Sequence, residues 1–161
     1  MPSEQDSSSE GVGQLVNSII QEDLLFQLAN NLHYLPFEAR KDTQTIFTYS
    51  LRWTTDQNSL PPAISYILDT RPEIIVELCR GYSRPESALP SGMILSEALK
   101  HEYITEVILY DEPDKRFKAD EIDHKAPSSG NGIFWQFFNW IDRGSFEVST
   151  DAFKTFRVTT S

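Results

Sequence analysis

An eleven-residue segment occurs twice in this chain, and the long spacing between the copies constrains the fold more than any other feature. Phe37-Glu38-Ala39-Arg40-Lys41-Asp42-Thr43-Gln44-Thr45-Ile46-Phe47 recurs as Phe146-Glu147-Val148-Ser149-Thr150-Asp151-Ala152-Phe153-Lys154-Thr155-Phe156. The opening Phe, the Glu after it, the Asp and the closing Phe hold the same offsets. Repetition at long period in a helix-forming sequence means stacked helical units, which bury their apolar faces on one another and mostly bind other proteins.

The rest of the chain carries helical periodicity. Residues 1–13 are polar, with Ser7-Ser8-Ser9 among acids and glycines, and read as a disordered end. Leu15, Val16, Ile19 and Ile20, then Leu24, Leu25, Leu28 and Leu32, form an apolar face on one or two helices. Pro36 fits the first turn of the next helix, which runs to about Trp53 with Phe37, Ile46, Phe47 and Leu51 on its apolar side. A polar connection over 54–62 leads to a short helix with Ile64, Ile67 and Leu68.

Thr70-Arg71-Pro72-Glu73 and Ser83-Arg84-Pro85-Glu86 both look like capping boxes: a hydroxyl, a proline just inside, and a glutamate three residues on. They predict helices over 72–80 and 85–100. Gly81 suits the end of the first, and Pro90 kinks the second or marks its true start. The helical pattern continues over 101–110. Residues 111–131 are charged, carry two prolines and close on Ser128-Ser129-Gly130-Asn131-Gly132, which predicts an exposed, flexible insertion. The aromatic run from Ile133 to Ile141 predicts a buried helix before the second copy of the repeat.

Glu86 falls where a middle unit should carry its glutamate. Once the insertion is discounted, the steps are roughly 45 residues, the period of HEAT and armadillo units. The expected fold is therefore all-α: an armadillo/HEAT-like α-solenoid, a right-handed superhelix of about three units over 14–161. Such a stack presents a concave surface to partners.

Charge and cysteine usage narrow the function. The formal net charge of -10 disfavours nucleic-acid binding, because an acidic surface repels phosphate backbones. Cys79, the only cysteine, sits in an apolar run and reads as a buried structural thiol, with no disulfide and no cysteine-rich zinc site. No secretory leader and no membrane-spanning run stand out, which makes the cytoplasm the expected location.

His33, His101 and His124 are scattered, without the spacing of a helical metal site. Asp111-Glu112-Pro113-Asp114 lacks the alternating ligands, the glycine and the closing glutamate of a calcium loop. Gly130-Asn131-Gly132 is a turn rather than a phosphate loop, and no nucleophile elbow is present. No catalytic, metal or cofactor residue is expected, and no small-molecule substrate.

Arg40, Lys41, Arg52, Arg80, Arg84 and Lys100 stand out against the acidic background. Arg52, Arg80 and Lys100 are the candidates for holding a protein partner; the alternative is a set of solvated helix faces. Phe134, Trp135, Phe137, Phe138 and Trp140 read as packing between units, or else as a groove for a partner peptide.

Several separate blocks carry a family resemblance. They are Ser18 to Leu25, Asn31-Leu32, Leu35 to Phe47, Arg71-Pro72-Glu73, Glu77 to Tyr82, Phe134-Trp135, Trp140 to Glu147 and Asp151-Ala152-Phe153. Together they resemble the calcium-binding-protein-39-like scaffold family, also called mouse-protein-25-like, and its fungal members above all. The resemblance implies a non-catalytic armadillo-like solenoid that binds STE20-type protein kinases or the STRAD pseudokinase and holds them active. In fungi it implies service to an NDR-kinase network for polarised growth, cell separation and spore-structure development. Family members are about twice as long, so the chain is expected to correspond to a truncated, N-terminal portion, and no residue of the family's best-known pocket carries over. A generic solenoid adaptor, or an inactive fragment, is the alternative reading.

Overall fold

The computed structural model describes residues 4–112, 125 and 128–161. Among these residues the regular structure is helical, with no strand: α1 (Glu4–Gln21), α2 (Leu24–Asn31), α3 (Phe37–Arg52), α4 (Pro62–Asp69), α5 (Glu73–Arg80), α6 (Pro85–Ala98), α7 (Glu102–Tyr110), α8 (Ile133–Arg143) and α9 (Phe146–Thr160). Two 3-10 turns, Leu32–Tyr34 and Gly81–Ser83, lead into α3 and α6.

The packing has a period of three helices. α1 packs on α4 and α4 on α7; α2 packs on α5 and α5 on α8; α3 packs on α6 and α6 on α9. The chain is thus an all-α solenoid of three three-helix units whose equivalent helices lie side by side. The repeated segment supplies the third helix of the first and last units. Phe37-Glu38, Pro85-Glu86 and Phe146-Glu147 open the three third helices, each with a glutamate in the first turn, where it complements the helix dipole.

One core runs through all three units, from Leu25 and Phe47 through Ile64, Ile74, Ile75 and Leu95 to Ile104, Phe137 and Ala152. Cys79 lies fully inside it, and burial pushes its thiol pKa up, as befits a packing residue.

Polar contacts register one unit on the next. Asp23, in the left-handed region with φ 55°, accepts from the Tyr66 hydroxyl and from Arg71 (Nη2 to Oδ2, 2.6 Å), so the α1–α2 corner grips α4 and the start of α5. Arg71 also lies over the Phe26 ring at 4.5 Å. Between the second and third units, the Tyr82 hydroxyl meets the Asp151 carboxylate and Thr155 Oγ1, while Trp140 donates to Ser83 Oγ at 3.1 Å.

Several expectations are corrected. Residues 4–13, read as disordered, form the first turns of α1; once Val16 and Ile19 anchor the helix, each further residue adds one bond at small cost. Neither capping box forms. Thr70 closes α4, and Ser83 is turned to Trp140; Pro72 and Arg84 take the N-cap positions without a side-chain cap. The hydroxyl cap that does form is Ser145, which accepts from the Val148 N–H at 3.3 Å. Gly81 ends α5 in the right-handed region, so its role is not a left-handed cap. It admits α6, since a Cβ there would lie 1.9 Å from Ser91 Oγ. Helix α6 runs through Pro90 to Ala98.

The expected insertion falls mostly outside the described residues, but its stems are pinned. Asp111 Oδ2 accepts the Ile133 N–H at 3.0 Å, and Glu112 accepts from Ser128 and Ser129. Those two acids are thereby engaged in hydrogen bonds to the chain itself.

Gly92 leaves room for α9 beside α6: a Cβ there would lie 1.8 Å from Asp151 Oδ2 and 2.8 Å from the Tyr82 hydroxyl. Gly92→Ala should therefore cost about 1–3 kcal/mol in urea unfolding. Gly11, with nothing within 4 Å of its Cβ position, lies on a solvent-facing stretch of α1, and Gly11→Ala should gain about 0.5–1 kcal/mol. A neutral Gly92→Ala would contradict the α6–α9 packing.

Candidate functional site: the face of the third helices

Helix α6 is enclosed by α3 on one side and α9 on the other, and it keeps one stripe in solvent. Glu86, Leu89, Met93 and Ser96 are its exposed residues beyond Pro85, and Lys100 in the turn that follows continues the alternating spacings of three and four. Ser87, Ala88, Ser91, Gly92, Ile94, Leu95 and Ala98 are buried. The stripe is largely apolar at its centre, with Met93 63% exposed and Leu89 41%.

Flanking helices extend this surface. Phe146, 86% exposed, stands at the mouth of an open groove of about 340 Å³ between α6 and α9, lined also by Leu89, Glu147, Thr150, Asp151 and Lys154. Its counterpart Phe37 is 60% exposed on α3, with Lys41 Nζ 4.6 Å from the ring centroid. The opening phenylalanines of the two copies, Phe37 and Phe146, therefore start the third helices without entering the core.

Two of the three candidate partner-binding residues meet on this face. Glu97 joins them: Arg52 makes a two-pronged contact (Nε to Oε1, 2.7 Å; Nη2 to Oε2, 3.0 Å), and Lys100 Nζ reaches Oε2 at 2.8 Å. The glutamate side chain is 11% exposed and the two cations are each 60% exposed. The arrangement keeps the carboxylate covered and leaves two cationic flanks to solvent. The hydrogen bonds from Arg52, followed by those from Lys100, hold the Glu97 carboxyl down at about 2 against the cost of its burial.

Arg80 stands apart. It closes α5 near the N-terminal end of α6, roughly 20 Å along that helix from Lys100. It pairs with Glu77 and lines a separate pocket of about 240 Å³ with Ser83, Asp111, Asn131, Gln136 and Trp140. Arg84 donates to His33 Nδ1 at 2.8 Å; burial, with Arg84 beside it, lowers the His33 pKa.

The aromatic run divides between the two readings offered for it. Phe137 and Trp140 are core residues, whereas Trp135 and Phe138 are about half exposed. Leu89 and Met93 were not singled out in the sequence. The spacing of Leu89, Met93, Ser96 and Lys100 is visible there, but only the packing on both sides of α6 tells that this stripe is the uncovered one.

Among the described residues no group of three His, Cys, Asp or Glu side chains could hold a metal ion, and no helix is long and apolar enough to cross a membrane.

A stack of three-helix units with one exposed row of third helices defines an armadillo-type solenoid. The Mo25-like family model matches residues 1–160, and the chain belongs to that family. It is 52% identical over 159 residues to the conidiophore development protein hymA of Emericella nidulans, covering 96% of this chain and 41% of that protein. It is 32% identical over 152 residues to MO25-like protein 2 of Caenorhabditis elegans, covering 94% and 38%. It is 29% identical over 154 residues to the human calcium-binding protein 39-like, covering 96% and 39%. The chain thus spans about two-fifths of the length of these relatives.

The Glu97 cluster carries a pH signature. A carboxyl whose folded pKa lies below its ordinary value of 4.5 contributes stability that is present above that value and is lost as pH falls toward 2. Glu97→Gln should therefore destabilise the protein by about 0.5–1 kcal/mol near pH 7, the range for an ion pair whose cations stand in solvent. The difference from the unaltered protein in urea unfolding should shrink between about pH 5 and pH 2. A difference that is constant with pH would contradict the ion-pair assignment.

Proposed function

We propose that this chain is a non-catalytic scaffold that presents the α3–α6–α9 face to a STE20-type protein kinase or a STRAD-like pseudokinase, in a cytoplasmic signalling and morphogenesis pathway. The observation that carries the reading is the α6 stripe: Leu89 and Met93 exposed between two parallel neighbours, with Phe146 at one end and the Arg52–Glu97–Lys100 cluster at the other. An apolar centre with a charged rim has the anatomy of a protein interface. Membership in the Mo25-like family supports the scaffold role, and the name of the Emericella nidulans relative supports a part in spore-structure development.

The mechanism is a shift of population. A rigid solenoid face that fits only the active arrangement of a kinase domain stabilises that arrangement by the difference between its two affinities. No residue of the scaffold then needs to touch the reacting atoms. Arg52 and Lys100 would engage acidic side chains of the partner, each using donors that Glu97 leaves free.

The test is calorimetric titration of the 161-residue chain with a STE20-type kinase domain, alongside a kinase assay. Met93→Asp, which puts a charge at the centre of the stripe, should weaken binding at least about tenfold. Arg52→Ala and Lys100→Ala should each weaken it severalfold, and Arg80→Ala should leave it within twofold. Absence of binding, or binding insensitive to Met93→Asp, would remove this reading.

A further inference from the structure

The 3-10 turn Leu32–Tyr34 leads from α2 into α3 and packs against α6 of the second unit. Leu32 is buried and anchors the turn, while Tyr34 is exposed. His33 stands between them. Its ring centre lies 3.9 Å from that of Tyr34, and its Nδ1 is 2.8 Å from Arg84 Nη1. Arg84 is the N-cap residue of α6. One histidine thus ties the entrance of α3 to the entrance of α6.

The contact dictates the protonation state of the ring. A guanidinium has donors and no acceptor, and it stays charged at any pH the fold meets. Nδ1 must therefore offer its lone pair to Arg84. That makes His33 neutral, with its proton on Nε2. Nε2 is covered and meets no acceptor among the described residues, so the ring keeps its proton where it gains no hydrogen bond. A second proton has only Nδ1 to go to, where it would face the Arg84 N–H groups, cation against cation. The contact and the protonated ring exclude one another.

The charges around the ring leave it one other partner. From α5, Glu77 faces it but is held by Arg80. From α6, Arg84 and Glu86 face it, and Glu86 holds no ion pair among the described residues. Helix α2 carries no ionisable side chain. In the first turns of α3, Glu38 pairs with Lys41, and Arg40 donates to the Leu35 carbonyl at 2.9 Å. Burial first, and Arg84 second, lower the His33 pKa, while Glu86 and Glu77 pull it the other way.

We infer that His33 is a proton-operated clasp between the first two units: neutral, it accepts from Arg84 and fastens the turn before α3 to the start of α6; protonated, it lets Arg84 go and turns to Glu86. Its state sets how firmly the N-terminal edge of the third-helix row is held. A folded pKa below the ordinary 6.5 fixes the sign. The clasp contributes fully above that value, and its contribution is lost as pH falls through the folded pKa. This is the range in which histidine alone changes charge without help from its surroundings. The Glu97 cluster acts lower, between 4.5 and about 2. His101, whose pKa burial also lowers, shares the range but stands at the start of α7.

The test is an NMR titration of the histidine rings in the 161-residue chain, with urea unfolding at the same pH values. His33 should show the Nε2–H tautomer above neutral pH and titrate at lower pH than in the urea-unfolded chain. Its midpoint should rise in Arg84→Ala and fall in Glu86→Gln. His33→Asn sets an amide oxygen where Nδ1 stands and does not titrate. That variant should lose less stability than the unaltered chain between about pH 7.5 and about pH 5.5, and His101→Gln should leave this difference in place. An Nδ1–H tautomer, a midpoint at or above that of the unfolded chain, or a midpoint indifferent to Arg84→Ala would overturn the inference. So would a pH dependence that His33→Asn leaves unchanged.

Discussion

The structure depends on α6 being packed along both of its long sides. A helix gripped by a neighbour on each flank can spare only one narrow stripe for solvent, and its buried positions must include small residues where the neighbours come close. Ser87, Ala88, Ser91, Gly92 and Ala98 meet that demand. Gly81 serves the same end from outside the helix, since its missing Cβ leaves room for Ser91. These small residues let α3, α6 and α9 stand in one row, and the row creates both the exposed face and the register of the three units.

Apolar burial holds the units together without orienting them finely, because it has no direction. Orientation comes from a few polar contacts, each spanning adjacent units: Asp23 with Tyr66 and Arg71, Arg52 with Glu97, and Tyr82 with Asp151 and Thr155. Asp151 belongs to the repeated segment, yet its counterpart Asp42 is exposed. The same aspartate is a half-buried latch in the third unit and a solvent-facing charge in the first. Position within the stack decides its role, since only α9 has α6 on that side.

Much of this was legible in the sequence, for physical reasons that can be named. The repeat marks the third helices because Phe and Glu occupy the same first turn in each copy, and Glu86 marks the middle unit by the same logic. Apolar spacing locates the helices because each has a buried face. Sequence reasoning failed where tertiary contacts overrode local chemistry. Ser83 has the spacing of a capping hydroxyl, but Trp140, 57 residues on, claims it. Arg52 and Lys100 stand out for their charge; the Glu97–Lys100 spacing is local, but nothing local says that Arg52, 45 residues from Glu97, joins them while Arg80 lies elsewhere. The exposed aromatics were merged with the buried ones because a dense run of rings hides the periodicity that separates Phe137 and Trp140 from Trp135 and Phe138.

The most direct measurement is native-state hydrogen exchange across the chain. If α6 is clasped on both sides, its amides from Ala88 to Ala98 should exchange only through global unfolding and be the slowest in the protein. The amides of residues 8–12, which project into solvent ahead of the Gly13–Trp53 contact, should exchange by local fraying. Exchange from α6 as fast as from those first turns of α1 would contradict the central place of α6, and with it the row of third helices on which the functional reading rests.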